Sequence, residues 1–109
     1  MDSLTAAVAL IIDNDKTELA MVLESTREAA KSWKDDPNTM FTREEWMRET
    51  MHHALRRHVA EISLGDYDIP ARVQLFGDIA VNHMYTHTDW RALAQHYVDK
   101  VVEGVTVPE

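Results

Sequence analysis

Histidine is the residue type with most capacity for chemistry in this chain. Six occur among 109 residues, His52, His53, His58, His83, His87 and His96, and cysteine is absent. His83 and His87 stand four apart, which puts two imidazoles on one helix face within reach of a single metal ion. Asp78 or Asp89 would add a carboxylate. The intervening Met84-Tyr85-Thr86 holds no glutamate, so the pair lacks the general base of the H-E-x-x-H zinc hydrolases. Two histidines near a helix C-terminus also need no metal, because the helix dipole favours cations there. His83 and His87 are therefore metal-ligand candidates in a chain for which no cofactor is expected.

Glu49-Thr50-Met51-His52 matches Glu-x-x-His, the spacing of di-iron helical bundles, with Glu45 one turn before it. Those bundles use the motif twice with two further inward carboxylates, and here it occurs once. Glu18, Glu24 and Glu28 of the first helical segment read as a solvated face, and Glu44 can pair with Arg48 one turn on. Arg56-Arg57, with Arg48 nearby, is the one compact basic cluster. On a helix the two adjacent arginines point about 100° apart, so only one can join any stripe. A helix-turn-helix over 69–103 fails on charge, since its recognition helix would set Asp89, Asp99 and Glu103 against Arg91 and Lys100. No phosphate loop, dinucleotide motif or local nucleophile signature occurs. The chain is expected not to be an enzyme.

The elements that would position these residues are helices. Three glycines and three prolines occur in the chain; Gly65, Gly104, Pro37 and Pro70 stand where a helix would stop or start, and no apolar-polar alternation across a Gly turn marks a hairpin. A first helix is predicted over 3–34, with Ser3 as N-cap. Its apolar or small positions are Leu4, Val8, Ile11, Ile12, Leu19, Val22, Leu23, Thr26, Ala29, Ala30 and Trp33. Unbroken, it would run about 48 Å, long for so small a domain. The polar patch Asp13-Asn14-Asp15-Lys16 leaves two helices as the alternative, with Thr17 capping the second.

Asp35-Asp36-Pro37-Asn38 ends this segment. Thr42-Arg43-Glu44-Glu45 is a capping box, with Phe41 and Trp46 at the staple positions. It opens a helix over 42–63 whose inward face is Trp46, Met47, Thr50, Met51, Ala54, Leu55, His58, Val59 and Ile62, and Gly65 stops it. Asp68 and Pro70 start a third helix over 69–85, with Ile69, Val73, Phe76, Ile79, Ala80, His83 and Met84 inward. A last helix over 89–103 buries Trp90, Leu93, Ala94, Tyr97, Val98, Val101 and Val102, and Gly104 stops it. Trp33, Trp46 and Trp90 read as core or interface anchors. The fold class expected is all-α: a compact bundle of four or five helices, the first long or kinked, with 1–104 as one domain and 105–109 as a tail.

Nineteen acids against eleven bases give a net charge of -8. The acidity is weighted to the two ends: residues 1–35 carry seven acids to four bases, 36–64 five to four, and 65–109 seven to three. Such a field repels nucleic acid and anionic membrane and attracts basic surfaces. It also keeps a small protein in solution. The apolar run from Ala6 to Ile12 lacks a basic n-region and is too short to be a signal peptide or to span a bilayer. With no thiol to oxidise, a cytoplasmic location is expected.

The closing Thr88-Asp89-Trp90-Arg91-Ala92-Leu93-Ala94-Gln95-His96-Tyr97, with the small size, acidity and lack of cysteine, resembles small phage-encoded proteins that bind and block a host protein. Antirestriction DNA mimics and many anti-CRISPR proteins belong to that group. The resemblance implies a non-enzymatic inhibitor whose partner is a protein with a basic, nucleic-acid-binding surface, contacted without direct nucleic-acid or membrane binding. It carries no functional residue over. The residues themselves offer Asp13, Asp15, Glu18, Asp66, Asp68 and Asp78 as partner-binding candidates. The alternatives are an antitoxin-like partner, a metal-dependent helical enzyme using His83 and His87, and an assembly module. The last would form a homodimer through the first helix, with Val8, Ile12, Leu19, Val22 and Leu23 as its seam.

Overall fold

The computed structural model describes residues 1–34, 39–61 and 71–105, with side chains described for 1–34, 39–58 and 79–105. The described residues form five α-helices: α1 Ser3–Asp13, α2 Lys16–Ser32, α3 Arg43–Glu61, α4 Ala71–His87 and α5 Trp90–Val102. The expected Gly65, Asp68 and Pro70 signals lie outside the described residues, as do 35–38 and 106–109.

The polar patch breaks the first segment into two helices. Asn14 is the C-cap of α1 and Asp15, in an extended conformation, is the N-cap of α2. The Asp15 carboxylate accepts from the amides of Thr17 and Glu18, so Asp15 and not Thr17 caps α2. The same correction applies at the start of α1, where Asp2 and not Ser3 is the cap and accepts from the Thr5 amide at 2.8 Å. A carboxylate reaches the free amides of a first turn and complements the positive end of the helix dipole. The capping box is formed as its sequence requires: Glu45 N–H donates to Thr42 Oγ1 and Thr42 N–H to Glu45 Oε1, each at 3.2 Å. Asp89 caps α5 by accepting from the Ala92 amide. Beyond α5, Gly104 takes the left-handed conformation with φ 79°. The amides of Gly104 and Val105 then return to Val101 and Lys100 carbonyls, the double closure that a glycine at this position permits.

α3 packs against α5 at the centre, α2 lies against both, α1 spans α2, α5 and α4, and α4 also meets α3. The main core joins Val8, Ala9 and Ile12 of α1 and Val22 and Leu23 of α2 to Met51 and Leu55 of α3. Trp90, Leu93, Ala94 and Tyr97 of α5 complete it. A smaller cluster holds Ala29, Met47 and Val98. Thr5 Oγ1 accepts from the Asp89 amide at 2.9 Å and Asp13 accepts from His96 at 3.0 Å, so α1 is tied to α5 near both of its ends and runs alongside it in the same direction.

This core overturns the dimer seam read from the sequence. Val8, Ile12, Val22 and Leu23 are buried within one chain and Leu19 packs against them. Ile11, expected inward, is exposed. On α4, Ile79, Ala80 and His83 are exposed, whereas Val81 and Met84 pack on the core. The α4 stripe is thus rotated relative to the one that Ile79 and His83 define. Val102 of α5 also faces out. Val105, the first residue of the expected tail, is bonded to the body: its carbonyl accepts from Arg27 Nη2 at 3.0 Å. No helix of the described residues is long and apolar enough to cross a membrane.

Candidate interaction surface

The described acidic candidates serve the fold itself. Asp13 Oδ2 accepts from His96 Nε2 at 3.0 Å, joining the end of α1 to α5. Asp15 caps α2. Glu18 Oε2 meets His58 Nε2 at 2.7 Å and joins α2 to α3. Asp66 and Asp68 lie outside the described residues, and so does the side chain of Asp78 on α4. Asp13, Asp15 and Glu18, offered by the sequence as partner-binding candidates, thus each already hold a partner within the fold, while Asp15 is exposed and Asp13 and Glu18 are half-buried. Their shared feature, invisible in a linear charge count, is a partner fixed by the fold.

Beside the Asp13 bridge lies Tyr97, fully buried; its hydroxyl and Asp13 Oδ1 are neighbours that fall short of hydrogen-bond geometry with each other and with the other described residues. Burial, followed by the nearby Asp13 charge, pushes the phenol well above its ordinary pKa, so it keeps its proton.

His83 and His87 do share a face, with ring centroids 4.6 Å apart. Among the described residues no third histidine or carboxylate joins them in a group that could hold a metal ion. Asp89, the proposed additional ligand, is bonded to the Ala92 amide.

Glu49 of the Glu-x-x-His motif faces α5. Arg91 Nε donates to both of its oxygens at 3.0 and 3.4 Å, and Arg48 Nε lies 3.6 Å away. The hydrogen bond from Arg91 holds Glu49 below the usual carboxylate range and raises Arg91 in turn. His52 Nδ1 sits 3.9 Å from Glu49, yet burial and the neighbouring His53 and Arg91 lower its pKa, favouring the neutral ring. The motif is thus an ion-pair node between α3 and α5. Arg56 of the basic cluster stacks over the Tyr85 ring at 4.7 Å and links α3 to α4.

The site missed by motif reading lies where α2 gives way to α3. Ser32, Trp33, Lys34, Thr39, Met40, Phe41 and Trp46 line an open cleft of about 440 Å³. Its walls are fixed by hydrogen bonds: Trp33 Nε1 donates to the Phe41 carbonyl at 3.0 Å and Trp46 Nε1 to Ser32 Oγ at 2.9 Å. Ser32 Oγ in turn donates to the Ala29 carbonyl, and Thr39 Oγ1 to that of Lys34. The Phe41 and Trp46 rings are 6.3 Å apart and tilted by 53°. Met40 is 90% and Phe41 39% exposed. The usable signal was Phe41 and Trp46 at staple positions beside a third aromatic, Trp33. They were legible as an anchoring pair, while the cleft depends on how α2 ends.

A second exposed apolar surface lies on α1, where Leu10 and Ile11 are 61% and 65% exposed. Comparison with protein-family models, curated proteins and solved structures finds no match for the chain.

Proposed function

We propose that this protein is a non-enzymatic binding protein that docks on a basic surface of a protein partner and blocks it. The cleft between Trp33, Phe41 and Trp46 is the observation that carries the reading. Tryptophan and other aromatics dominate binding energy where they form well-packed pockets, and two of these rings are oriented by their own N–H bonds before any partner arrives. An arginine of the partner suits such a cleft, because its guanidinium stacks on aromatic faces. The net charge of -8 supplies the long-range part, attracting a basic surface and repelling nucleic acid. A protein bound there would exclude DNA or RNA from the partner sterically and electrostatically, as in the small acidic inhibitors that the composition resembles.

Tryptophan emission titrated with an oligoarginine peptide tests this reading. Saturable binding is expected, weaker in about 500 mM than in about 50 mM salt because screening shortens the reach of the field. Phe41→Ala should reduce it while leaving the Phe41 carbonyl to hold Trp33. An absent response, or an equal response to oligoglutamate, would refute it.

A further inference from the structure

Between Asp2 and Asp13 the first helix carries no charged residue, in a chain whose net charge is -8. Its inward residues, Thr5, Val8, Ala9 and Ile12, are buried in the core. Its outward residues, Ser3, Ala6, Ala7, Leu10, Ile11 and Asn14, are all exposed. We infer that this outward face of α1 is a self-association surface, covered by α1 of a second copy in an antiparallel, two-fold contact. The surface is separate from the aromatic cleft and does not depend on the function proposed for it.

Charge selects the occupant. A basic partner gains nothing from a neutral face, and any charged group laid on Leu10 and Ile11 loses its water without compensation. Two copies of this chain repel each other, and at physiological salt the repulsion reaches about 8 Å. Their approach is least opposed where both surfaces are uncharged, and the outer face of α1 is uncharged from Ser3 to Ile12, about 15 Å, with Asp2 and Asp15 opposed only at its ends, a repulsion that salt screens.

The pattern of sizes selects the geometry. Ser3, Ala7, Leu10 and Asn14 follow the four-three-four spacing of a helix-pair seam, with Ala6 and Ile11 flanking it. About a two-fold axis midway between positions 8 and 9, Ala7 faces Leu10 of the second copy and Ala6 faces its Ile11. Ser3 then faces Asn14. Each large side chain meets a small one, so the backbones approach closely without a void. An in-register parallel pair would set Leu10 on Leu10 and Ala7 on Ala7, large on large and small on small, and would align the two helix dipoles. The antiparallel pair also sets the two helix dipoles in opposition, which is favourable. So short a seam buries less than the roughly 800 Å² per partner of a standard stable interface, so the dimer is a weak one that forms at high concentration.

Sedimentation equilibrium of the full chain, from about 20 µM to about 1 mM, tests the inference. The mass average should climb from 12.5 kDa towards twice that value. Association should tighten several-fold between about 50 mM and about 500 mM salt, as screening removes the repulsion. That is the opposite sign from oligoarginine binding, so failure of one reading is distinguishable from failure of the other. Leu10→Asp should weaken association at least tenfold. Val102→Asp, at a 51% exposed apolar residue on α5, should leave it unchanged, and circular dichroism checks that both variants remain folded. A monomer at about 1 mM in high salt would overturn the inference. So would a dimer that survives Leu10→Asp, one lost equally in Val102→Asp, or association that weakens with salt.

Discussion

Replacing Asp13 by alanine separates an acid that builds the fold from one that meets a partner. The substitution removes the acceptor of His96 Nε2, one of the two ties between α1 and α5. Asp13 and His96 are 26% and 28% exposed at the side chain. This places the bond between a fully buried charge-assisted hydrogen bond, about 1.5–3 kcal/mol, and a surface pair, about 0–1 kcal/mol. A figure near 1.5 kcal/mol is reasonable for the bond. The other carboxylate oxygen is buried without a partner, so deleting the group also relieves a desolvation cost of about 0.5 kcal/mol. The net expectation is a loss of about 1 kcal/mol, which for a domain of this size lowers Tm by about 4 °C.

Thermal melts followed by circular dichroism at neutral pH measure that shift, and amide exchange locates it. Protection should fall around 10–15, at the junction of α1 and α2, and hold in the α3–α5 centre. An unchanged or raised Tm would refute the bridge and return Asp13 to the set of available surface acids. A loss above about 3 kcal/mol would refute the orphaned oxygen, because the carboxylate would then be satisfying Tyr97 as well.

Three further outcomes follow from the same geometry. Asp15→Ala should cost about 1 kcal/mol in a denaturant titration by uncapping α2; no loss would mean that the Thr17 and Glu18 amides find water as readily. Tyr97→Phe should be neutral or stabilising by up to about 1 kcal/mol, since it removes a buried hydroxyl that has no partner; clear destabilisation would show that the hydroxyl donates to Asp13. Glu49→Gln should be less stable than the native chain at neutral pH, and the gap should close in acid. The folded pKa of Glu49 lies below its ordinary value because Arg91 binds the carboxylate. Its contribution is therefore complete above that ordinary value and disappears as pH falls through the lower folded one. A gap that persists unchanged well below the carboxylate range would rule out the Arg91 pair as its source.

Local signals specified the helices well where the chemistry was short-range. The Thr42–Glu45 box, the Asp89 cap and Gly104 act within one turn, so their residue types carry the answer. The same locality explains why Ser3 and Thr17 lost to Asp2 and Asp15: each acid stands one or two residues upstream, and its longer reach to the first-turn amides decides the boundary. Helix rotation was less legible. Ile79 and His83 fit a helical period, but so do Val81 and Met84, and only packing against α3 and α1 chooses between them. In α1 both faces are apolar, so the sequence could not say which one the core takes. Thr5 and Asp13 decide it by bonding to α5, at sequence separations of 84 and 83.

The fate of the acids sharpens how a charge of -8 can act. Asp13 and Glu18 meet histidines and Asp15 meets backbone amides, partners that leave the net charge unaltered when the imidazoles are neutral. Their contribution to the field that reaches out to about a Debye length is therefore intact, while their oxygens are committed at short range. Electrostatic steering depends on the former and contact specificity on the latter. Removing Asp13 or Glu18 should thus slow association with a basic peptide slightly, as any loss of one negative charge would, without a matching rise in dissociation rate. Removing the Phe41 ring should do the reverse, leaving the encounter rate alone and shortening the life of the complex. On the proposed reading, specificity lies in the aromatic cleft, whose one charged lining residue among those described is Lys34, and reach lies in the carboxylates, including those already holding the helices together.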